Sequence, residues 1–242
     1  MVSMPVAVKI LPSGDAALTV EFGDTVDAKL NAQVLALDAQ LAANPIVGID
    51  ETVPTYRSLL VFYNPSIIEF AALRAQLLAR PAGPDEGSAP GATWSIPVVY
   101  GGPFGIDLEA LSQRHGLTPA QVIERHSQRA YRVYMIGFLP GYTYLGGLDP
   151  TLATPRLDSP RARTPAGSVS IGGVQAAIGS IEGPSGWHLL GRTPVRTFMP
   201  ARDPVFFLAP GDDVIFKPVA SSQWDALETA AARGALVAER LS

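Results

Sequence analysis

Glycine and proline are the residues that most constrain what this chain can fold into. The sequence holds 23 Gly and 22 Pro among 242 residues, about one residue in five, against an average of about 12% for the pair. Proline lacks a backbone donor and glycine loses the most conformational freedom on folding, so both interrupt long helices. The composition predicts many turns and short strands rather than a helical bundle.

The apolar content is high enough for a buried core. Hydrophobic residues make up 47% of the chain and charged residues 17%, which excludes disorder as the main state. The formal net charge is −4, so the chain offers no general basic field for a nucleic-acid backbone or an anionic membrane surface. Any site for an anion must therefore be local.

The chain contains no cysteine, which excludes disulfides, thiolate zinc sites and cysteine nucleophiles together. The N-terminal sequence MVSMPVAVKI has no basic segment followed by an apolar one, and no run approaches the ~18 apolar residues that span a bilayer. We expect a soluble cytoplasmic protein with no membrane contact and no nucleic-acid partner.

The first 80 residues carry the helix caps, apolar stripes and strand patterns of a small α/β unit. One stripe of apolar residues predicts a helix that begins after a cap at Asp24 or Thr25. A capping box, Ser66-x-x-Glu69, predicts a second helix. Strands are predicted around these helices at 17–22, 47–53 and 58–63, and the helix stripes are Val26, Leu30, Val34, Leu37 and Leu41, then Leu73 and Leu77.

Residues 81–92, PAGPDEGSAPGA, offer almost nothing to bury and predict a hinge between domains at 1–85 and 92–242. Beyond the hinge, Thr118-Pro119-Ala120-Gln121 predicts a capped helix that runs to about Gln128. Other helices are predicted at 107–115 and 222–232, and short strands at 96–100, 131–136, 168–171, 174–178, 187–190, 205–208, 213–217 and 235–239. Many short strands with Gly and Pro turns favour a barrel or a sandwich.

The segment 137–173 is the most unusual part of the chain. About a third of it is Gly or Pro, and a long irregular stretch inside a compact domain is usually a functional loop or a disordered one. The aromatic residues Phe138, Tyr142 and Tyr144 favour order.

Five arginines lie in or after this segment, and they suggest an anion site. Their planar forks match the oxygens of a carboxylate or a phosphate. They could equally pair with surface acids or hold the loop through backbone carbonyls. We select Arg163 and Arg192 as the candidate anion ligands from the set Arg156, Arg161, Arg163, Arg192 and Arg196.

Three histidines and one Gly-Gly pair complete the candidate chemistry. His115 precedes Gly116 at a predicted helix end, where a cation caps the helix dipole. His126 and His188 could each act as general acid or base, or be packed and satisfied by the backbone. Their spacing matches no metal motif, so we expect no metal. Gly172-Gly173 could bind an anion or form a tight turn, and no phosphate-loop or nucleophile motif is present.

Three blocks of sequence then point to a family. GFLPGYTYLGGL, PRLDSPRARTPAGSVSIGG with the following Gln175, and PSGWHLLGRTP resemble the family of the 5-oxoprolinase B subunit, which also covers allophanate hydrolase subunit 1 and KipI-like proteins. They are similar as well to subdomains C and D of the carboxyltransferase region of urea amidolyases. The blocks occur in the family's order, and the resemblance covers nearly the whole chain.

The resemblance implies an α+β fold with two domains, a small N-terminal α/β sandwich followed by a C-terminal cyclophilin-like β-barrel. Two departures bear on the pocket. Gly179-Ser180 stands where the family usually has Tyr-Pro, and Ser185-Gly186-Trp187 stands where it has Gly-Gly-Trp.

The resemblance also implies a role in a hetero-oligomer. The B-type and C-type subunits of 5-oxoprolinase together activate 5-oxo-L-proline with ATP as cosubstrate, accompanied by Mg²⁺, and the third, A-type subunit then completes ring opening to L-glutamate. We expect this chain to be inactive alone. On this interpretation Arg163 and Arg192 clamp the substrate carboxylate or phosphoryl group, His126 and His188 transfer protons, and Gln175 and Tyr144 orient the ligand.

Two other functions fit the same resemblance. A KipI-like protein would restrain a sensor histidine kinase, which requires an exposed apolar patch and no ATP. A urea amidolyase or allophanate hydrolase role would transfer a carboxyl group from biotin, and we expect this role less because these 242 residues include no carrier or biotin carboxylase segment.

Overall fold

The computed structural model describes residues 8–80 and 91–242. The chain divides into two compact units, Met1–Ala89 and Pro90–Ser242. Most of the hinge predicted at residues 81–92, and with it the predicted domain boundary, lies outside the described residues.

The first unit is an antiparallel sheet of four strands with two helices. The strand order is β1-β2-β4-β3. Apolar residues from both helices and from the strands form one core, to which Val34 and Leu73 contribute fully buried side chains. The elements are β1 (Lys9–Pro12), β2 (Ala17–Glu21), α1 (Ala28–Ala43), β3 (Ile49–Pro54), β4 (Ser58–Tyr63) and α2 (Phe70–Leu78).

The predicted helix starts in this unit are wrong by a few residues. Asp27 caps α1, because its carboxylate accepts from the backbone N–H groups of Lys29 and Leu30, and Val26 lies exposed before the helix. Helix α2 begins after Glu69 with no side-chain cap. Ser66 instead donates its backbone N–H to the side chain of Asn64, so this polar residue belongs to a turn.

The second unit is built around a closed barrel. Seven strands follow one another in the order β12-β9-β10-β7-β6-β13-β5, and pairing of β12 with β5 closes the ring. The elements are β5 (Thr93–Tyr100), α3 (Leu108–His115), α4 (Pro119–Ser127), β6 (Ala130–Ile136), β7 (Thr143–Gly146), β8 (Arg161–Thr164), β9 (Ser168–Gly172), β10 (Gln175–Ile178), β11 (Gly183–Ser185), β12 (His188–Arg192), β13 (Asp213–Pro218), α5 (Trp224–Ala232) and β14 (Glu239–Arg240). The α+β fold class is confirmed.

Alternate residues of the barrel strands form one packed apolar core. In β10, Ala176 and Ile178 are fully buried in this cluster, while Ala177 packs in a separate cluster with Tyr142 and Trp187. Successive side chains of a strand point to opposite faces of the sheet. The sheet therefore has an apolar core on one face and an aromatic cluster on the other.

Of the local sequence motifs in this unit, the structure confirms the predicted helix cap and contradicts one predicted strand. The capping box at Thr118 is present, because Thr118 and Gln121 exchange hydrogen bonds between side chain and backbone. Pro119 occupies the first turn of the helix. The strand predicted at 205–208 is wrong, because the segment forms only an isolated bridge between Phe198 and Phe206. The segment 137–173 is less irregular than predicted, since it contains the short strands β7, β8 and β9.

Gly105 offers a direct test of how the barrel packs against the start of α3. A Cβ atom at Gly105 would lie 1.8 Å from the carbonyl oxygen of Leu190, whereas at Gly137 the nearest atom would be the methyl of Met135 at 3.5 Å. We expect Gly105→Ala to lower the free energy of unfolding by about 1–3 kcal/mol, because backbone must move, and Gly137→Ala to change it by less than about 1 kcal/mol. Urea denaturation of both variants checks this, and equal stabilities would contradict the close approach.

Candidate functional site

An aromatic cleft on the outer face of the barrel is the candidate site. We use this name for a cavity of about 190 Å³ whose walls come from three segments of the second unit. The first segment follows β6 and enters β7, the second precedes β8, and the third contains β11 and the two residues that follow it. The lining residues are Phe138, Tyr142, Tyr144, Arg156, Leu157, Pro160, Pro184, Ser185, Gly186 and Trp187.

Four aromatic rings form a continuous wall of the cleft. Tyr142 and Tyr144 are two residues apart at β7, so their side chains share one face of the sheet, and their ring centroids are 4.8 Å apart. Trp187 meets Tyr144 edge to face at 5.9 Å, and Phe138 meets Tyr142 in the same way at 5.6 Å. Phe138 is 62% exposed, so the wall extends to solvent at this end.

Trp187 lies against β9 because Gly172 leaves room for it. A Cβ atom at Gly172 would lie 2.6 Å from the indole ring. The backbone N–H of Trp187 donates to the hydroxyl of Ser185 at 3.1 Å, and its carbonyl accepts from Arg161 at 3.3 Å. The backbone that carries this ring is therefore held at both its N–H and its carbonyl.

The carboxylate of Asp107 joins the elements that surround this tryptophan. It accepts from Arg161 Nη2 at 2.6 Å and from the backbone N–H of Leu189 at 2.7 Å. These contacts join the residue before α3 to β8 and β12. The Trp187 carbonyl and the backbone N–H of Leu189 are thus both held by charge-assisted hydrogen bonds, which are stronger than neutral ones.

Arg156 is the charged residue among those that line the cleft. Its guanidinium carbon lies 5.5 Å from the centroid of the Trp187 ring. The backbone around it is held at two points. Thr154 exchanges hydrogen bonds of 3.0 and 2.7 Å with Gly173, and Leu157 donates to the Gly186 carbonyl at 2.7 Å. The guanidinium is therefore presented from a fixed segment.

The two tyrosines of the cleft stay protonated at neutral pH. Burial raises the pKa of Tyr142 to about 12, against smaller opposing effects of Ser170, Ser185 and Arg156. Burial also raises the pKa of Tyr144, and the positive charge of Arg156 opposes it. Both hydroxyls therefore retain a hydrogen that they can donate.

The structure brings one of the six predicted site residues, Tyr144, into the cleft lining. Gln175 lies on the same face of β10 as Ala177, which packs in the aromatic cluster, so it is on the cleft side of the sheet. Its side chain is 8% exposed, and its amide nitrogen has no hydrogen-bond partner within the described part of the chain. The orienting roles predicted for both residues stay predictions.

The two histidines selected as proton carriers occupy different environments. His126 is completely buried, its Nδ1 lies 2.8 Å from the hydroxyl of Tyr100, and its ring stacks on Phe216 at 4.8 Å. His188 is partly exposed, and its Nε2 lies 2.9 Å from the carbonyl oxygen of Pro155. A carbonyl only accepts, so this nitrogen carries the hydrogen. Their catalytic roles stay predictions, and His188 is better placed to reach a ligand.

The two arginines selected as a clamp are both held by protein groups. Arg163 is an exposed residue whose Nε donates to Glu182 at 2.9 Å. Arg192 donates from Nε and Nη2 to the Ala166 carbonyl at 3.2 and 2.9 Å, and its guanidinium carbon lies 4.8 Å from the centroid of the Trp224 ring. Neither lines the cleft, and their role as anion ligands stays a prediction.

Comparison with known proteins places this chain in a family. Residues 8–208 match the model of the carboxyltransferase domain, subdomain C and D. The chain belongs to this family. It is 36% identical over 234 residues to the 5-oxoprolinase B subunit of Bacillus subtilis, a match that covers 92% of this chain and 98% of the relative. It is also 36% identical to the 5-oxoprolinase B subunit of Haemophilus influenzae, over 86% of this chain and 96% of the relative.

The solved structure of the Kluyveromyces lactis urea carboxylase has a similar fold. This chain aligns with it at a TM-score of 0.80 and 21% identity, over 96% of this chain. The present chain spans 24% of the urea carboxylase chain. At this identity the likeness concerns architecture alone.

The described residues contain neither a metal cluster nor a membrane-spanning helix. Within residues 8–80 and 91–242, no group of three or more His, Asp or Glu side chains is placed to hold a metal ion. In the same ranges no helix combines the length and the apolar character that a membrane crossing requires.

Sequence reasoning misses the principal residues of the cleft. In the sequence Arg156 is only one of five arginines, and Trp187 stands out only as part of a block that resembles the family. A usable signal is present, because Phe138, Tyr142 and Tyr144 are aromatic residues within a Gly/Pro segment that also carries Arg156. The proximity of Trp187 to this segment depends on the β9–β12 pairing, which sequence spacing does not reveal.

The burial of His126 predicts a specific dependence of stability on pH. Burial lowers the pKa of His126 to about 3, from an ordinary value of 6.5, so below pH 6.5 the unfolded chain binds a proton that the folded chain excludes. Stability from this residue is therefore lost as the pH falls. Between pH 7 and pH 5 we expect the wild-type protein to lose about 2 kcal/mol more than His126→Asn, measured by urea denaturation at both values. An identical loss in the two proteins would contradict this assignment.

Proposed function

We propose that this chain is a subunit of an ATP-dependent 5-oxoprolinase, in which it acts with a C-type partner and a third, A-type partner to open 5-oxo-L-proline to L-glutamate. One observation carries the proposal. Relatives named as the B subunit of 5-oxoprolinase match this chain at 36% identity over nearly their full length. Because those relatives are named as subunits, they support a role within a complex.

The proposed reaction needs ATP because hydrolysis of this lactam is unfavourable alone. The lactam oxygen takes the terminal phosphoryl group of ATP, and ADP leaves. One water attacks the activated carbon and the ring C–N bond breaks, which gives an acyl phosphate. A second water releases phosphate and L-glutamate. A protein contributes to such steps through donors that face the developing charge and through a group that transfers protons.

Two placements on this chain support a contribution to those steps. Tyr142 and Tyr144 keep their hydrogens at neutral pH and line a cleft beside the guanidinium of Arg156. His188 stands one residue after Trp187 and donates from Nε2 to the Pro155 carbonyl. We propose His188 rather than the buried His126 as the proton carrier of this chain.

The two other functions have weaker support. Likeness to urea carboxylase at 21% identity concerns the fold, so carboxyl transfer stays a prediction from the resemblance. Inhibition of a sensor histidine kinase also stays a prediction, and it requires no ATP and no third subunit.

Co-expression with the neighbouring subunit genes tests the proposed activity. We expect the purified complex to release L-glutamate from 5-oxo-L-proline only when ATP is present, and this chain alone to release none. An enzymatic assay for glutamate and a parallel assay for ADP measure both products. A complex of all subunits that produces neither product with ATP would overturn the proposal.

The exposed pair of Arg163 and Glu182 gives a matched test of the predicted anion clamp. If Arg163 binds the substrate, Arg163→Ala abolishes turnover of the complex, whereas Glu182→Ala breaks the same ion pair and retains turnover. Exposed pairs contribute about 0–1 kcal/mol, so neither variant unfolds the protein. Turnover is measured as glutamate release, and stability by thermal denaturation. Wild-type turnover in Arg163→Ala would refute the role of Arg163.

A further inference from the structure

The five arginines that the sequence singles out differ in whether the protein already binds them. Four of them are held by acceptors of this chain. Asp107 binds Arg161, and Glu182 binds Arg163. The Ala166 carbonyl accepts from Arg192, and Glu228 binds Arg196.

Arg156 is the exception within this group of five. Among the residues that the structure describes, no carboxylate or carbonyl accepts a hydrogen bond from its guanidinium, and its contact is with the face of the Trp187 ring. Stacking on a ring leaves the N–H edges of a guanidinium available. Arg156 therefore presents a fork of donors that the protein does not use.

The surroundings of Arg156 favour a carboxylate with an attached ring. Arg156 is exposed, and the Trp187 ring borders its guanidinium on one side. A charge-assisted hydrogen bond between its planar fork and a carboxylate is stronger than a neutral one. The rings of Tyr144 and Trp187, 5.9 Å apart and edge to face, provide surfaces on which a flat ligand can pack.

The dimensions of the aromatic cleft restrict the ligand further. Its volume of about 190 Å³ is below the range of about 300–1,000 Å³ that is typical of sites for drug-sized ligands. This volume suits one small ring with a carboxylate better than it suits a whole nucleotide. The single cation in the lining matches a single negative charge.

We propose that the aromatic cleft binds a small cyclic monocarboxylate, with Arg156 as the partner of its carboxylate and with its ring against Trp187 and Tyr144. The ligand class follows from the cleft, while the choice of 5-oxo-L-proline as its member rests on the proposed function. The site differs from the clamp of Arg163 and Arg192 that the sequence predicts.

Calorimetric titration of the full chain, alone and in the co-purified complex, tests the assignment. The probes are 5-oxo-L-proline, 2-pyrrolidinone, which keeps the ring and lacks the carboxylate, and acetate, which keeps the carboxylate and lacks the ring. We expect 5-oxo-L-proline to bind at least ~10-fold more tightly than either fragment, because only it makes both contacts. Binding no tighter than that of both fragments would overturn the proposal.

Substitutions of Arg156 separate the charge from the fold. We expect Arg156→Ala to raise the Kd for 5-oxo-L-proline by roughly 10–100-fold and to leave the weak binding of 2-pyrrolidinone unchanged. Arg156→Lys keeps the charge without the planar fork, so its Kd should lie between those of wild type and Arg156→Ala. Arg233→Ala removes a cation outside the cleft lining and should retain wild-type affinity. Equal affinities of wild type and Arg156→Ala, in the chain and in the complex, would refute the proposal.

The outcomes distinguish this inference from the proposed function. Binding that depends on Arg156 in a complex without ATP-dependent glutamate release would preserve the site and refute the activity. Glutamate release that is unchanged in Arg156→Ala, in KM and in kcat, would preserve the activity and refute the site.

Discussion

The carboxylate of Asp107 is the contact on which the architecture of the site depends. It binds the guanidinium of Arg161 on β8 and the backbone of β12 at the residue that follows His188. Because Arg161 also donates to the Trp187 carbonyl, one carboxylate fixes both the strand and the aromatic residue that precedes it. Arg156, Tyr144 and the rest of the cleft take their places around that ring.

Several arginines of this unit hold backbone carbonyls. Arg161, Arg192 and Arg202 each donate to backbone carbonyls, and in a segment rich in Gly and Pro such bonds replace the ladder that regular strands would supply. An arginine that performs this role has little left for a ligand. Whether an arginine of this unit is available to a ligand therefore depends on which acceptors the protein already provides.

Local signals predict the helix cap at Thr118 but not the helix start near Ser66, and features with distant causes are not predictable from the sequence. The capping box at Thr118 depends on residues within one helical turn, and the structure has it as predicted. The residues of the apolar run at 205–208 suit a strand, but the run pairs only at Phe206. The sequence indicates an arginine-rich segment, but it does not separate Arg156 from Arg163, because the acceptor of Arg163 is Glu182 on a segment 19 residues away.

The opposite faces of β10 have a consequence for how this protein can change over time. Ala176 and Ile178 belong to the packed interior of the barrel, whereas Ala177 supports the aromatic cluster outside it. The side chains that line the aromatic cleft are thus separate from those that pack the interior of the barrel. Substitutions in this lining can alter the shape of the cleft while the barrel continues to fold.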